Sequence, residues 1–348
     1  MKPEPNSQPL KAKTASSPAV HLQTIGPEEA GQRLDNYLLR WAKGVPKSHV
    51  YRIIRSGEVR VNKKRAEPTT RLIEGDVVRL PPVRLAEPAQ IAAVNTAQTK
   101  SRARGYSDKM PILYEDDALL IVNKPTGLAV HGGSGIALGV IETLRITRPE
   151  LNFLELVHRL DRDTSGVLLL AKKRSALVEM HRQIREGQTD KRYFLLAHGE
   201  VEQGAGVMQL KFPLHKYLLP NGERRVRVDP NGLPSHTALR VIKTMKRADA
   251  TITLAEAQLK TGRTHQIRVH LQKLGHAILG DDKYGFEDLD KQIKSKRLYL
   301  HAHLAGFTHP RTGEKMRIES PLPAEFTMMM SHFESLVDKT SATKELND

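Results

Sequence analysis

"VHRLDRDTSGVLLLAKK", residues 157–173, sets a histidine, two arginines and two aspartates within six positions and then turns apolar. The Val167–Ala171 run reads as a buried strand, so the charged head stands at the mouth of that strand. On an extended backbone Arg159, Asp161 and Asp163 share one face, and His158, Leu160 and Arg162 the other. A guanidinium close to Asp161 favours its ionised form and keeps a carboxylate ready as nucleophile or base. Seen alone, the same run equally suits a surface ion-pair cluster that closes a strand.

Working outward, Ala118–Val122 is a strand, Gly127–Gly135 a glycine-rich turn and Gly139–Ile146 a helix. Downstream, Leu177, Met180 and Ile184 recur at spacings of three and four, which makes Ser175–Gly187 an amphipathic helix ending on glycine. Lys191–Ala197 and Thr251–Leu259 return to strand. Thr264–Leu274 reads as a helix with Thr264 as N-cap and Gly275 as terminator. Its Ile267, Leu271 and Leu274 point inward; His265, Arg268 and Gln272 lie opposite, so Arg268 can reach out of the core toward a carboxylate on another element. The remainder, through about Phe326, mixes turns and short strands, and no internal repeat is visible.

The chain has 348 residues, more than one core usually holds, and 55 Lys and Arg against 39 Asp and Glu give a net charge of +16. An anionic partner follows, and nucleic acid ranks above membrane because no apolar run approaches the roughly 20 residues that span a bilayer. The N-terminus lacks the apolar stretch and cleavage site of a secretory signal, so a cytoplasmic location is expected. With no cysteine in the chain, disulfides, thiolate nucleophiles and cysteine metal sites are excluded.

Residues 1–26, rich in Pro, Ser, Lys and Ala, read as a flexible tail, and 336–348 as a charged C-terminal one. Residues 27–85 form a compact α+β module. In it Leu34, Tyr37, Leu38 and Trp41 recur at helical spacing, Ser48 caps His49–Arg55, and short strands around Val59–Val61 and Val77–Leu80 flank a turn at Asn62–Lys64. Residues 86–110 are polar and aperiodic and read as a linker to a larger domain at 111–335.

Between Lys47 and Arg65 seven Lys or Arg face a single acid, Glu58. A solvated basic face is the plain reading. Concentration on one small module of a basic chain favours phosphate contacts, with Arg52, Arg55, Arg60, Lys63 and Lys64 as candidates. The carboxylates leave three readings open. A glycosidase pair is conceivable, although two acids two residues apart are not diagnostic. An aspartic protease is disfavoured, because Asp163–Thr164–Ser165–Gly166 carries one residue too many and occurs once. A base-modifying RNA enzyme, whose carboxylate attacks a flipped nucleoside, agrees with the basic module. His301, His303 and His309 have a metal-like alternation but read more simply as the polar face of a strand. The Gly132–Gly135 loop lacks the lysine and Ser/Thr of a P-loop and reads as a turn beside the cleft.

"GQRLDNYLLRWAKGVPKSHVYRIIRSGEVRVNKKRAEPTTRLIEGDVVRLP", from Gly31, resembles the S4 RNA-binding domain. "HRLDRDTSG" resembles the signature of the RluA-type pseudouridine synthases. "NKPTGLAVHGG" from Asn123, "KRYFLLA" from Lys191 and "LKTGRTHQIRVHLQKLGHAILGDDKYG" from Leu259 follow that family's pattern, so the likeness spans about residues 27–325. The resemblance implies an α+β architecture: the S4 domain plus a catalytic domain on a mixed, largely antiparallel sheet. It implies isomerisation of uridine to pseudouridine without cofactor or metal. Asp161 falls on the family's essential aspartate, Tyr193 on its active-site tyrosine, Arg268 on the arginine that pairs with the aspartate, and Arg159 on a residue linked to substrate positioning. Lys124 and Pro125 fall on a motif that is mainly structural. "GVPKS", "GEVRVNKKR" and "FLELVHRLDRDTSGVLL" resemble members acting at several sites of 23S ribosomal RNA, which makes that RNA or a large-subunit assembly intermediate the expected partner. A monomer is expected. The alternatives are a synthase for a different RNA and a non-catalytic S4-type ribosome-assembly factor.

Overall fold

The computed structural model describes residues 20–27, 29–42, 45, 47–82, 97–132, 138–202 and 206–333, in two units divided between Thr96 and Ala97. The first unit holds β1 (His21–Thr24), α1 (Leu34–Trp41), α2 (Lys47–Arg55), β2 (Arg60–Val61), β3 (Lys64–Arg65) and β4 (Val77–Leu80). Its sheet runs β1-β4-β2-β3, antiparallel throughout. Leu34, Leu38, Val50, Ile53 and Ile54 of the helices pack on Val59, Val61, Leu72, Val78 and Leu80. Asn62 and Lys63 turn the β2–β3 hairpin with φ of +48° and +67°, the left-handed pair that a tight hairpin needs.

Two expectations for this unit are corrected. His21–Thr24 lies inside the stretch read as a flexible tail, yet pairs with β4 along its whole length. All four of its side chains are exposed, so no apolar pattern announces it; backbone pairing and the buried Ile25 just beyond hold it. Ser48 sits inside α2 rather than capping it, because the helix already starts at Lys47. Residues before 20 and after 333 lie outside the described residues, as does 83–96.

In the second unit the first element is a helix, α3 (Ala97–Ser107), where a linker was expected. Most of its side chains are polar, which hides it in the sequence. Ala103 is fully buried, and Tyr106 and Met110 pack on the main core beside α4 (Val140–Thr147). The other elements are β5 (Ile112–Glu115), β6 (Leu119–Lys124), β7 (Glu155–Leu156), β8 (Ser165–Ala171), α5 (Arg174–Arg185), β9 (Asp190–His198), β10 (Met208–Leu210), β11 (Leu214–Leu218), β12 (Arg224–Val228), β13 (Thr237–Arg247), β14 (Ala250–Leu259), α6 (Gln266–Lys273), α7 (Glu287–Gln292), β15 (Leu300–Thr308) and β16 (Lys315–Glu319). A final helix covers 324–333.

The large sheet runs β10-β13-β14-β9-β15-β8-β6-β5, with β16 on β15 and β7 on β8. It is the mixed, largely antiparallel sheet that the resemblance implies: its strand pairs are antiparallel except β8 with β15. Leu168 and Leu170 of β8 face one core, with Val140, Ile141 and Leu144 of α4. Val167, Leu169 and Ala171 face another, with Ala176 and Met180 of α5. Cover on both faces explains the continuous apolar run. β15 is likewise longer and more central than the short strands expected there, and its His301 and His303 are buried.

The residues ahead of β8 are not extended as expected. Asp161–Thr164 is a turn in which the Thr164 N–H donates to the Asp161 carbonyl at 3.2 Å. The reason lies in the "NKPTG" segment. Lys124, fully buried, donates from Nζ to the carbonyls of Pro125 (2.8 Å), Leu128 (2.7 Å) and Arg162 (2.8 Å). Thr126 Oγ1 donates to the carbonyl of Asp163 at 2.7 Å. Two consecutive carbonyls of the turn are thereby drawn inward, and the alternation of an extended strand is broken there. Burial pulls the Lys124 pKa down to about 7, against the nearby carboxylates of Asp163 and Asp161. Satisfying all three carbonyls takes the three protons of the charged form. Gly166, with φ +111°, pairs with Ala302 of β15, and a Cβ there would overlap the Ala302 carbonyl.

Gly166→Ala should therefore destabilise the second unit by about 3 kcal/mol or more, read as a lowered urea midpoint. Lys124→Met strips donors from three buried carbonyls at once. It should cost about 3 kcal/mol and speed hydrogen exchange at the Thr164 amide beyond what global unfolding explains.

Candidate active site

The turn, the start of β9 and the start of α6 converge on a cleft of about 510 Å³, lined among others by Arg159, Asp161, Lys191, Tyr193, His265 and Arg268. In register across the sheet, Gly166, Ala302 and Tyr193 lie side by side, which puts Tyr193 on the cleft floor just past the turn. Asp161 stays 29 % exposed. Tyr193 is buried, and burial together with the negative charge of Asp161 holds its phenol well above the ordinary pKa, so it stays protonated.

Arg268 is placed differently from the sequence expectation. α6 buries Gln266 through Leu271 on nearly all sides, so Arg268 does not point out of the core; its side chain is only 3 % exposed. Its Nε and Nη2 donate to the two oxygens of Asp281 at 2.7 and 2.5 Å, and Nη2 also donates to Asp282 at 3.0 Å. Nη1 is left to face Asp161 Oδ2 at 3.5 Å. Burial opposes its charge, but the hydrogen bonds and charge of Asp281, helped by Asp161 and Asp282, keep the guanidinium firmly protonated. Thr264 is not the cap: His265 holds that position with φ +52°. The Gln266 side chain accepts from the Arg263 N–H at 3.0 Å and donates to the His236 carbonyl at 3.0 Å, tying down the helix entry.

The guanidinium beside Asp161 thus comes from 107 residues downstream. Arg162 instead pairs with its neighbour Asp163 at 3.2 Å, and Arg159 is exposed on the cleft wall. Lys191 and His265 also line the cleft, and Asp281 and Asp282 of "GDDKYG" hold Arg268; of these the residue-by-residue reading placed only His265, on the outward face of its helix. The one available signal was two adjacent acids soon after an arginine-bearing helix. Beneath the cleft, the Leu169 N–H donates to His158 Nε2 at 3.2 Å, and burial lowers that imidazole to about 4, which keeps it neutral.

The three histidines of the metal-like alternation serve separate partners. His301 Nδ1 lies 2.9 Å from Ser165 Oγ, His303 Nε2 3.0 Å from Glu256, and His309 Nε2 3.0 Å from Asp116. Among the described residues no group of His, Asp and Glu is arranged to hold a metal ion. Gly133–Gly135 of the glycine loop lie outside the described residues. Gly132 and Gly139 donate their N–H groups to Glu142 Oε2 at 2.9 and 3.0 Å, so these amides already hold an acid. In the first unit Arg52, Arg55, Arg60, Lys63 and Lys64 are all exposed, and none forms a salt bridge among the described residues.

Residues 118–273 match the RNA pseudouridylate synthase family, and residues 32–78 match the S4 domain. Proteins named ribosomal large subunit pseudouridine synthase C are similar over nearly their whole length. The one from Yersinia pestis is 51 % identical over 310 residues, 88 % of this chain and 93 % of that protein. The one from Escherichia coli K12 is 51 % identical over 311 residues, 88 % of this chain and 94 % of that protein. Among solved structures, human RNA pseudouridylate synthase domain containing 4 is 26 % identical with a TM-score of 0.54, covering 68 % of this chain and 97 % of that one. Motif order, cleft and relatives agree, and the chain belongs to the RNA pseudouridylate synthase family, with an S4 domain ahead of the catalytic one.

Proposed function

We propose that the protein isomerises uridine to pseudouridine at several sites of 23S ribosomal RNA, in the cytoplasm, with Asp161 as nucleophile. The observation that carries this reading is a partly exposed carboxylate facing a cleft between a buried, paired arginine and a buried tyrosine. Asp161 attacks C1′ as the N-glycosidic bond breaks, the uracil turns, C5 bonds to C1′ as the bond to Asp161 breaks, and the proton lost from C5 is balanced by one gained at N1. Arg268, 3.5 Å from Oδ2, orients the carboxylate. Tyr193 stacks near the base. A phenol kept protonated can accept the C5 proton only after giving up its own, so stacking is its first duty. Arg159, exposed on the cleft wall, steadies the flipped nucleotide. Isomerisation requires neither a redox partner nor a hydrolytic water. The names of the relatives favour large-subunit RNA as the substrate, and the exposed cations of the S4 domain supply phosphate contacts that capture it.

Unmodified large-subunit RNA incubated with the protein should acquire pseudouridine at discrete positions, and Asp161→Asn should bind the RNA yet leave none. Modification by the Asn variant would remove Asp161 as nucleophile. Replacing Arg60, Lys63 and Lys64 together by alanine should weaken RNA binding and flatten the slope of log K against log salt by about 2, with kcat at saturating RNA unchanged. An unaltered slope would take these three residues out of the RNA contact.

A further inference from the structure

Two side chains that no step above uses stand behind Asp161. His265 opens α6 in the left-handed region, and Tyr284 follows the Asp281–Asp282 pair on the next loop. The Tyr284 hydroxyl accepts the Val226 N–H of β12 at 2.9 Å, which leaves its own proton for His265 Nδ1, 2.7 Å away. Burial pushes the phenol up to about 12, so that proton stays on oxygen. A ring nitrogen accepting such a bond carries no proton, and the imidazole proton must then sit on Nε2. Nε2 faces Asp161 Oδ2 at 3.9 Å, the same oxygen that Arg268 Nη1 approaches at 3.5 Å. Both groups make their nearest approach to that one oxygen, and among the described residues neither hydrogen-bonds Oδ1.

The surroundings keep this imidazole neutral. Burial disfavours its charge, and Arg268 on its own helix and Lys283 on the following loop repel a second cation; Asp161 on the turn and Asp281 on the loop pull the other way, with the lowering side prevailing. A neutral donor can orient a carboxylate while withdrawing less of its electron density than a full cation would.

We propose, on the basis of the synthase reading, that His265 is a positioning residue for the nucleophile: Tyr284 fixes it as the Nε2–H tautomer, and with Arg268 it holds Asp161 Oδ2 so that Oδ1 attacks the nucleoside. The 3.9 Å gap is longer than a hydrogen bond, and a small rotation of the carboxylate as the nucleotide enters closes it. Val226 ties the phenol to the β11–β12 ribbon, so the assembly rests on two separate pieces of backbone.

The test is a long-range proton–nitrogen spectrum of protein labelled with [15N]histidine. His265 is assigned by its loss in His265→Asn, a substitution that tolerates the left-handed backbone. Wild type should show the Nε2–H tautomer. Tyr284→Phe should show a mixture of tautomers, with kcat down about tenfold and the KM for RNA within about twofold. The acid limb of its kcat should move to higher pH, because Nδ1, freed of its donor, can take a proton beside Asp161. A merely structural Tyr284 would lower the melting temperature while leaving tautomer and acid limb in place, and that result overturns the proposal. So does an Nδ1–H tautomer in the wild type. Wild-type protein that carries the Nε2–H form yet modifies no ribosomal RNA would count against the synthase reading and leave the tautomer assignment standing.

Discussion

A guanidinium cannot shed its charge, so an arginine in a protein interior survives only where carboxylates meet it. Arg268 meets that demand through Asp281, whose side chain is itself fully buried, and through Asp282. The pairing locks α6 to the loop that follows it, and removing one partner would cost about 3–5 kcal/mol by leaving an uncompensated charge. With Nε and Nη2 occupied, the edge left over is the one that faces Asp161. The orientation of the Asp161 carboxylate is thus a by-product of how the interior solves a solvation problem.

A second buried cation acts on backbone instead of side chain. Lys124 gathers three carbonyls, one of them from the turn, and Thr126 takes the next. Arg268 therefore sets the direction of the Asp161 oxygens, and Lys124 sets where the Asp161 backbone stands. Gly166 lets β8 and β15 approach closely enough for both arrangements to share one sheet.

How much of this the sequence discloses depends on the range of the forces involved. β8 is legible because burial on both faces leaves an unbroken apolar run, and α5 because one of its faces meets a core. Asp161, Tyr193 and Arg268 stand out through four motifs in order; local pattern alone leaves Tyr193 indistinguishable from core, and by burial it is core. β1 is hidden because an edge strand with exposed side chains is held by backbone bonds, to which residue type is nearly blind. α3 is hidden because Ala103 and Tyr106 carry its packing among polar neighbours. The neighbours of Asp161 are misread for a related reason. Adjacency in the chain suggests Arg159 and Arg162; the motif pattern points instead to Arg268, which does face Asp161, but from inside a helix buried all round and not from the outward polar face that periodicity suggests.

The parallel pairing of β8 with β15 joins Ser165 to His301 across 136 residues. Asp161, Tyr193 and Arg268 all precede β15, and Leu300 at its start is part of the cleft wall. A nascent or truncated chain ending before that strand would carry Asp161, Tyr193 and Arg268 without the strand that pairs beside the turn bearing the first of them. Contacts of such sequence separation close late in folding. The cleft is in this way tied to completion of the chain: its wall, and the strand pairing beside the turn, close only once β15 has been made.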